Sequence, residues 1–232
     1  MAGRVVTITG AFGALGSAVA KAAAAQGARV ALIDFAPSAP EGLLAACGPQ
    51  ALAIGGVDLT DRAGAQAAIA AVVARFGRLD ALINVAGGFA WQTLADGDPD
   101  AWDRLYAMNV STAANASRAA IPHLRASGSG RIVNIGANGA VKAGAGMGAY
   151  AAAKAGVHKL TESLAEELKA DGVTVNAVLP SILDTPANRA DMPGADPSAW
   201  VAPADLAAVI LFLASEAARA VTGALVPVMG RV

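Results

Sequence analysis

The first 34 residues restrict the possible folds more than any other stretch. Val5 to Thr9 is a short run of β-branched and apolar residues, and Gly10-x-x-Gly13-x-x-Gly16 follows it. An Ala-rich segment then runs to Gly27, and Arg29 to Ile33 forms a second apolar run that ends at Asp34. Short unbroken apolar runs suit strands buried on both faces, while the Gly-bounded segment between them suits a helix with a natural C-terminal stop. Strand, Gly-rich turn, helix, strand, acid is the order of a βαβ unit that binds a dinucleotide. Gly10, Gly13 and Gly16 permit a tight turn and close backbone approach to a pyrophosphate. The helix start around Leu15 adds oriented N–H groups and a favourable dipole. Asp34 is placed to accept hydrogen bonds from the two hydroxyls of an adenosine ribose. A carboxylate there repels a 2′-phosphate, so NAD(H) is expected over NADP(H).

The pattern continues to the C-terminus. A third strand is expected at Gln50–Val57, ending in Asp58 and Leu59; Asp58 is a candidate acceptor for an adenine amino group and Asp61 a helix N-cap. A helix closes at Phe76-Gly77, and Leu79–Val85 is a fourth strand followed by Ala86-Gly87-Gly88, small enough for a backbone to pass close to a flat ring. Asn84 at that strand's end can tie neighbouring strands together. Ala101–Leu124 reads as one long helix with Asn109 in its interior, which Pro122 should bend or end. Arg131–Ile135, Val173–Leu179 and Leu225–Met229 complete seven strands alternating with helices, giving a single doubly wound α/β domain with a parallel sheet over residues 1–232. Residues 181–200, rich in Pro and Asp, should form a loop or short-helix lid beyond a strand's C-terminal end, where such sheets hold ligands.

Tyr150 and Lys154 lie four apart at the start of the helix after Arg131–Ile135, so their side chains leave the same face. A phenol beside a fixed ammonium ionises more readily than a free one and can exchange a proton with a substrate atom near neutral pH. Taken alone, Y-x-x-x-K recurs by chance, and a half-buried tyrosine beside a solvated lysine is then the better explanation.

Composition narrows the partners. Apolar residues make up 55% and charged residues 15% of the chain, enough for a sizeable core, and the formal charge of −1 offers nothing to nucleic acid or an anionic membrane. The lone Cys47 cannot form an internal disulfide, and a reducing cytoplasm is the simplest compartment. His123 and His158 are too few for a metal centre and are expected on helix surfaces. No apolar run reaches membrane-spanning length, and the N-terminus enters a strand too soon for a signal peptide.

With Thr9-Gly10-x-x-Gly13-x-x-Gly16, Asn84-Val85-Ala86-Gly87, Tyr150-x-x-x-Lys154 and Thr222-Gly223-Ala224-Leu225 in order, the chain resembles the short-chain dehydrogenase/reductase family along its whole length. The resemblance implies a Rossmann domain, a nicotinamide cofactor, and hydride transfer to or from a carbonyl, quinonoid or imine carbon. It makes Tyr150 the proton donor, and Lys154 the residue that holds the nicotinamide ribose and lowers the Tyr150 pKa. Asn109 organises a proton-relaying water. Pro180 and Thr185 join the glycines, Asp34, Asp58, Leu59, Asn84, Ala86 and Gly87 around the cofactor. It also implies a homodimer or homotetramer built through the helices that carry Asn109 and Tyr150.

Three residues depart from the family pattern. Ala14 stands where a glycine is common, and Ser181 follows Pro180 where glycine is frequent. Ala137 occupies the place of a catalytic serine, and a methyl group cannot polarise a substrate oxygen; Asn138 is the nearest substitute donor. Ala137, Gly146-Met147-Gly148 before Tyr150, and the run Leu183-Asp184-Thr185-Pro186 through Trp200 are similar to the dihydropteridine-reductase branch, whose activated imine substrate needs less polarisation. The missing serine also motivates an alternative reading from another class, an NAD(H)-binding sensor or structural subunit without chemistry, against which Tyr150, Lys154 and Asn109 argue.

Overall fold

A computed structural model describes residues 1–232 as seven parallel strands with helices on both faces. In chain order these are β1 (Val5–Thr9), α1 (Ala14–Ala25), β2 (Arg29–Ile33), α2 (Leu43–Cys47), β3 (Leu52–Ile54), α3 (Arg62–Phe76), β4 (Ala81–Asn84) and α4 (Ala101–Tyr106). There follow α5 (Thr112–Ala126), β5 (Arg131–Ile135), α6 (Gly148–Leu168), β6 (Thr174–Pro180), α7 (Pro186–Asp191), α8 (Pro203–Leu213) and β7 (Leu225–Val228). The sheet order is β3-β2-β1-β4-β5-β6-β7. The order reverses between β1 and β4, which opens a crevice at the carboxyl ends of those strands.

The expected seven-stranded parallel sheet is therefore present, and its strands are apolar on both faces because both are covered. On one face Val6, Ile8, Val30 and Leu32 pack with Val19 and Ala23 of α1 and Leu206 and Ile210 of α8. On the other, Val5, Ile33, Leu82 and Ile132 pack with Ile69 and Val72 of α3, Ala116 and Ala120 of α5 and Leu164 and Leu168 of α6. Asp61 caps α3 by accepting from the Ala63 and Gly64 amides, as its spacing predicts.

Three local expectations need correction. The strand at Gln50–Val57 shortens to Leu52–Ile54, because Gly55 is pressed against the Pro37 backbone and the chain turns away from the sheet edge. The helix expected over Ala101–Leu124 is not uniform: a π-helical segment, Ala107–Ser111, separates α4 from α5 and contains Asn109. Of the two outcomes expected of Pro122, bending or ending the helix, ending does not occur, because α5 runs on to Ala126. The amide that Pro122 lacks would have bonded to the exposed Arg118 turn, where water can serve the carbonyl, while Leu124 beyond it is fully buried and anchors the last turn.

Residues 181–200 leave the end of β6 as a flap containing α7 and a short 3₁₀ turn, Pro197–Ala199. Its two ends are stitched together, the Asp184 amide donating to the Val201 carbonyl at 2.9 Å and the Val201 amide to the Ile182 carbonyl at 2.9 Å.

Candidate active site

The crevice is lined first by backbone. Gly10 has φ +61°, and a Cβ there would lie 2.7 Å from the Ala86 nitrogen, so the turn after β1 and the loop after β4 touch at this point. A Cβ on Gly16 would overlap the Gly10 carbonyl oxygen, so α1 can start this close to β1 only with glycine there. Gly13 differs: a Cβ there meets nothing nearer than the Gly10 oxygen at 3.6 Å, so its missing side chain leaves open space above the start of α1. No side chain caps α1, whose first amides remain available to an anion, and Leu15 contributes only backbone because its side chain is buried. The methyl group of Ala14, at the position where glycine is common, is exposed and crowds nothing.

Asp34 ends β2 beside this turn. Its Oδ2 accepts from the Phe12 amide at 2.8 Å and its Oδ1 from the Ala36 amide at 2.9 Å, which aims the carboxylate along the crevice edge. Asp58 is exposed, and its Oδ1 is taken by the Thr60 amide and hydroxyl, which hold its pKa below the usual carboxylate range. Leu59 is buried, its carbonyl accepting from Asn115 Nδ2 at 3.0 Å.

Asn84 is buried. Its Nδ2 donates to Asn134 Oδ1 at 2.8 Å and Ser117 Oγ at 3.1 Å, and Asn134 Nδ2 donates in turn to Thr161 Oγ1 at 2.9 Å. This buried chain joins β4, β5, α5 and α6, the strand-tying role open to Asn84 from its position, while Asn84 Oδ1 is buried without a hydrogen-bond partner.

Tyr150, Lys154 and Asn109 converge on the glycine loop after β4. A Cβ built on Gly87 would lie 2.5 Å from Asn109 Oδ1 and 3.5 Å from Lys154 Nζ. Asn109 is buried, and its amide is fully engaged: Nδ2 donates to the Leu105 and Gly88 carbonyls at 2.9 and 3.1 Å, and Oδ1 accepts from the Gly88 amide at 3.2 Å. The π-helical widening that carries Asn109 thus holds the Gly87-Gly88 backbone in place. Lys154 is buried, not solvated, and donates to the Ile135 carbonyl at 2.8 Å.

Electrostatics here run against the simple expectation. Burial pushes the Tyr150 phenol up to about 12 and Lys154 down to about 8. Desolvation of both groups outweighs their mutual attraction, the Lys154 nitrogen lying 6.0 Å from the Tyr150 ring centre. Tyr150 is accordingly held as a neutral phenol, able to give a proton. Phe89 stands edge-on to its ring at 4.9 Å.

Ala137 is buried at the end of β5, and Asn138 opens the 3₁₀ turn after it. The Ala137 amide donates to His158 Nε2 at 3.3 Å. His158, expected on a helix surface, is only 6% exposed. It lies eight residues after Tyr150, two helical turns along the same face, a spacing that would have revealed it. Ser181 turns its hydroxyl away to the Met229 carbonyl at 2.6 Å, Pro180 ends β6 buried, and Thr185 caps α7 by accepting from the Asn188 amide at 3.2 Å.

The sequence profile described as short chain dehydrogenase matches residues 4–195. The chain belongs to the short-chain dehydrogenase family. It is 35% identical to 2-(S)-hydroxypropyl-CoM dehydrogenase 3 of Xanthobacter autotrophicus over 97% of this chain and 95% of that protein. The crystal structure of carveol dehydrogenase from Mycobacterium avium in complex with NAD superposes with a TM-score of 0.89 at 28% identity, covering 99% of this chain and 97% of that one. Levodione reductase superposes with a TM-score of 0.92 at 28% identity over the same shares. Membership makes this chain an oxidoreductase. No helix is long and apolar enough to cross a membrane, and no group of three or more His, Cys, Asp or Glu side chains is placed to hold a metal ion.

Proposed function

We propose that this short-chain dehydrogenase uses NAD(H) to reduce a carbonyl, quinonoid or imine carbon of a small molecule, with Tyr150 as the proton donor. The observation that carries the reading is the meeting of Tyr150, Lys154 and the Asn109-held Gly87 loop beside the glycine turn of β1. The residues fit the cofactor: the space left by Gly13, the uncapped start of α1 and the Asp34 carboxylate suit a pyrophosphate and an unphosphorylated adenosine ribose. On this reading Asp34 favours NAD(H) over NADP(H), and Asp58, Ala86, Pro180 and Thr185 would join it around the cofactor. NAD(H) supplies or accepts the hydride. Tyr150 Oη gives its proton to the substrate atom that gains the negative charge, or takes it back in the oxidising direction. Lys154, held by the Ile135 carbonyl, stabilises the phenolate left behind and would be the residue to hold the nicotinamide ribose.

Because Ala137 brings no hydroxyl, an acceptor that is already activated suits the site best, which keeps a dihydropteridine-reductase-like activity in view. The 181–200 flap closes over such a substrate. A homodimer or homotetramer through the helices of Asn109 and Tyr150, in a reducing cytoplasm, completes the reading.

The test mixes the protein with NADH and a panel of quinonoid dihydropterins, cyclic diketones and quinones while following nicotinamide absorbance. Turnover of at least one acceptor is expected. A protein that binds NADH by calorimetry and oxidises it with none would be a sensor. Ala137→Ser should raise rates with ordinary ketones by up to roughly 10²-fold and leave quinonoid acceptors nearly unchanged.

A further inference from the structure

We propose that His158 is a positioning residue: its unprotonated Nε2 holds the Ala137 backbone in the site and, together with Lys154, clamps the end of β5 to α6. This deepens the reading above and rests on it. Lys154 Nζ donates to the Ile135 carbonyl at 2.8 Å, and the Ala137 amide donates to His158 Nε2 at 3.3 Å. Two residues one turn apart on α6 therefore seize the strand end on either side of Gly136. That glycine is shaped to the imidazole, since a Cβ on it would lie 2.5 Å from Nε2 and 3.2 Å from Leu179 Cδ1. The Gly136 amide is itself fixed to the Val178 carbonyl at 2.9 Å. Ile135, the last residue of β5, and the two residues after it are thus pinned, at the position where this chain lacks a serine hydroxyl. The placement of the Ala137 backbone also sets where Asn138, the nearest substitute donor, begins.

An imidazole nitrogen accepts only without its proton, so the clamp needs neutral His158 with the proton on Nδ1. Burial and Lys154 push its pKa below the ordinary histidine value, with Glu162 opposing and Lys159 adding to the shift. From the sheet side, the Ala137 amide of the segment after β5 and the Leu179 side chain of β6 lie at the imidazole. The clamp is therefore complete above the ordinary histidine pKa of about 6.5 and is lost as pH falls through the lowered value.

Hydrogen exchange and ¹⁵N NMR on the ligand-free protein test this without turnover. At neutral pH, Nε2 of His158 should be unprotonated and the Ala137 amide protected. On acidification, protection should fall along the His158 titration. His158→Gln, which retains an acceptor, should keep protection within about threefold, whereas His158→Leu should lose it at least tenfold. With NADH and the best acceptor of the panel, kcat of the Leu variant should fall about tenfold with the KM for NADH unchanged, and the Gln variant should recover it. An Ala137 amide that stays protected in the Leu variant or through the titration overturns the inference, as does a Gln variant no better than Leu. If wild-type protein turns over no acceptor, the enzymatic reading fails while exchange still decides the clamp.

Discussion

The two sides of the crevice are built from different materials. On the β1–α1 side the surface is backbone: Gly10, Gly13 and Gly16 bring main-chain atoms to where a pyrophosphate fits, and Leu15 turns inward. On the β4–α6 side the surface is made of side chains: Tyr150 under the edge of Phe89, Lys154 on a strand carbonyl, and Trp91 donating from Nε1 to the Ala145 carbonyl at 2.9 Å across the loop before α6. A backbone surface binds whatever presents phosphate and says little about substrate. A side-chain surface can be tuned one residue at a time, so on the proposed reading chemistry and specificity belong to the second side and cofactor affinity to the first.

The sharpest way to break this division is Tyr150→Phe. Turnover should fall by about 10²- to 10⁴-fold, while NADH affinity by calorimetry stays within about twofold. Equal losses in both would mean the sides are not separable. On the backbone side, Gly16→Ala should cost about 1–3 kcal/mol of stability because its methyl meets the Gly10 carbonyl. Gly13→Ala should melt as wild type does yet bind NADH more weakly. Thermal denaturation with and without NADH separates the two. Asp34→Asn keeps an acceptor for the Phe12 amide and removes the charge. The ratio of NADPH to NADH affinity should rise about fivefold, near 1 kcal/mol.

Lys154 gives a prediction in pH. Its folded pKa, about 8, lies below the unfolded value of about 10.4, so the unfolded chain binds more protons between those limits. Stability conferred by this site rises with pH across that window, and the cost of burying the ammonium is complete below it. Lys154→Met should therefore gain most over wild type at neutral pH, and denaturation curves should show that advantage shrinking toward pH 10. The smallest effect is expected for Phe89→Ala, about 0.5–1.5 kcal/mol in transition-state binding. It should appear as a change in kcat/KM that differs between flat and non-planar acceptors.

Most of the architecture was legible in the sequence. Strands buried on both faces must be continuous apolar runs, and glycines must stand where backbones meet, so β1, α1, β2 and the order of the remaining elements could be read directly. The seven-stranded parallel sheet follows from that alternation, and Tyr150 and Lys154 share a face because the helical period is local. What depends on contacts between distant segments was not legible. Whether Asn84 bonds across to Asn134, whether a π-helical turn carries Asn109 to the Gly88 loop, and whether His158 lies on the surface or buried against the Ala137 amide are decided by neighbours far away in the chain. The charge state of the Tyr150–Lys154 pair belongs to the same class. Spacing alone favours an acidified phenol, but burial is a property of the packed domain, and desolvation there outweighs the attraction that the four-residue spacing implies.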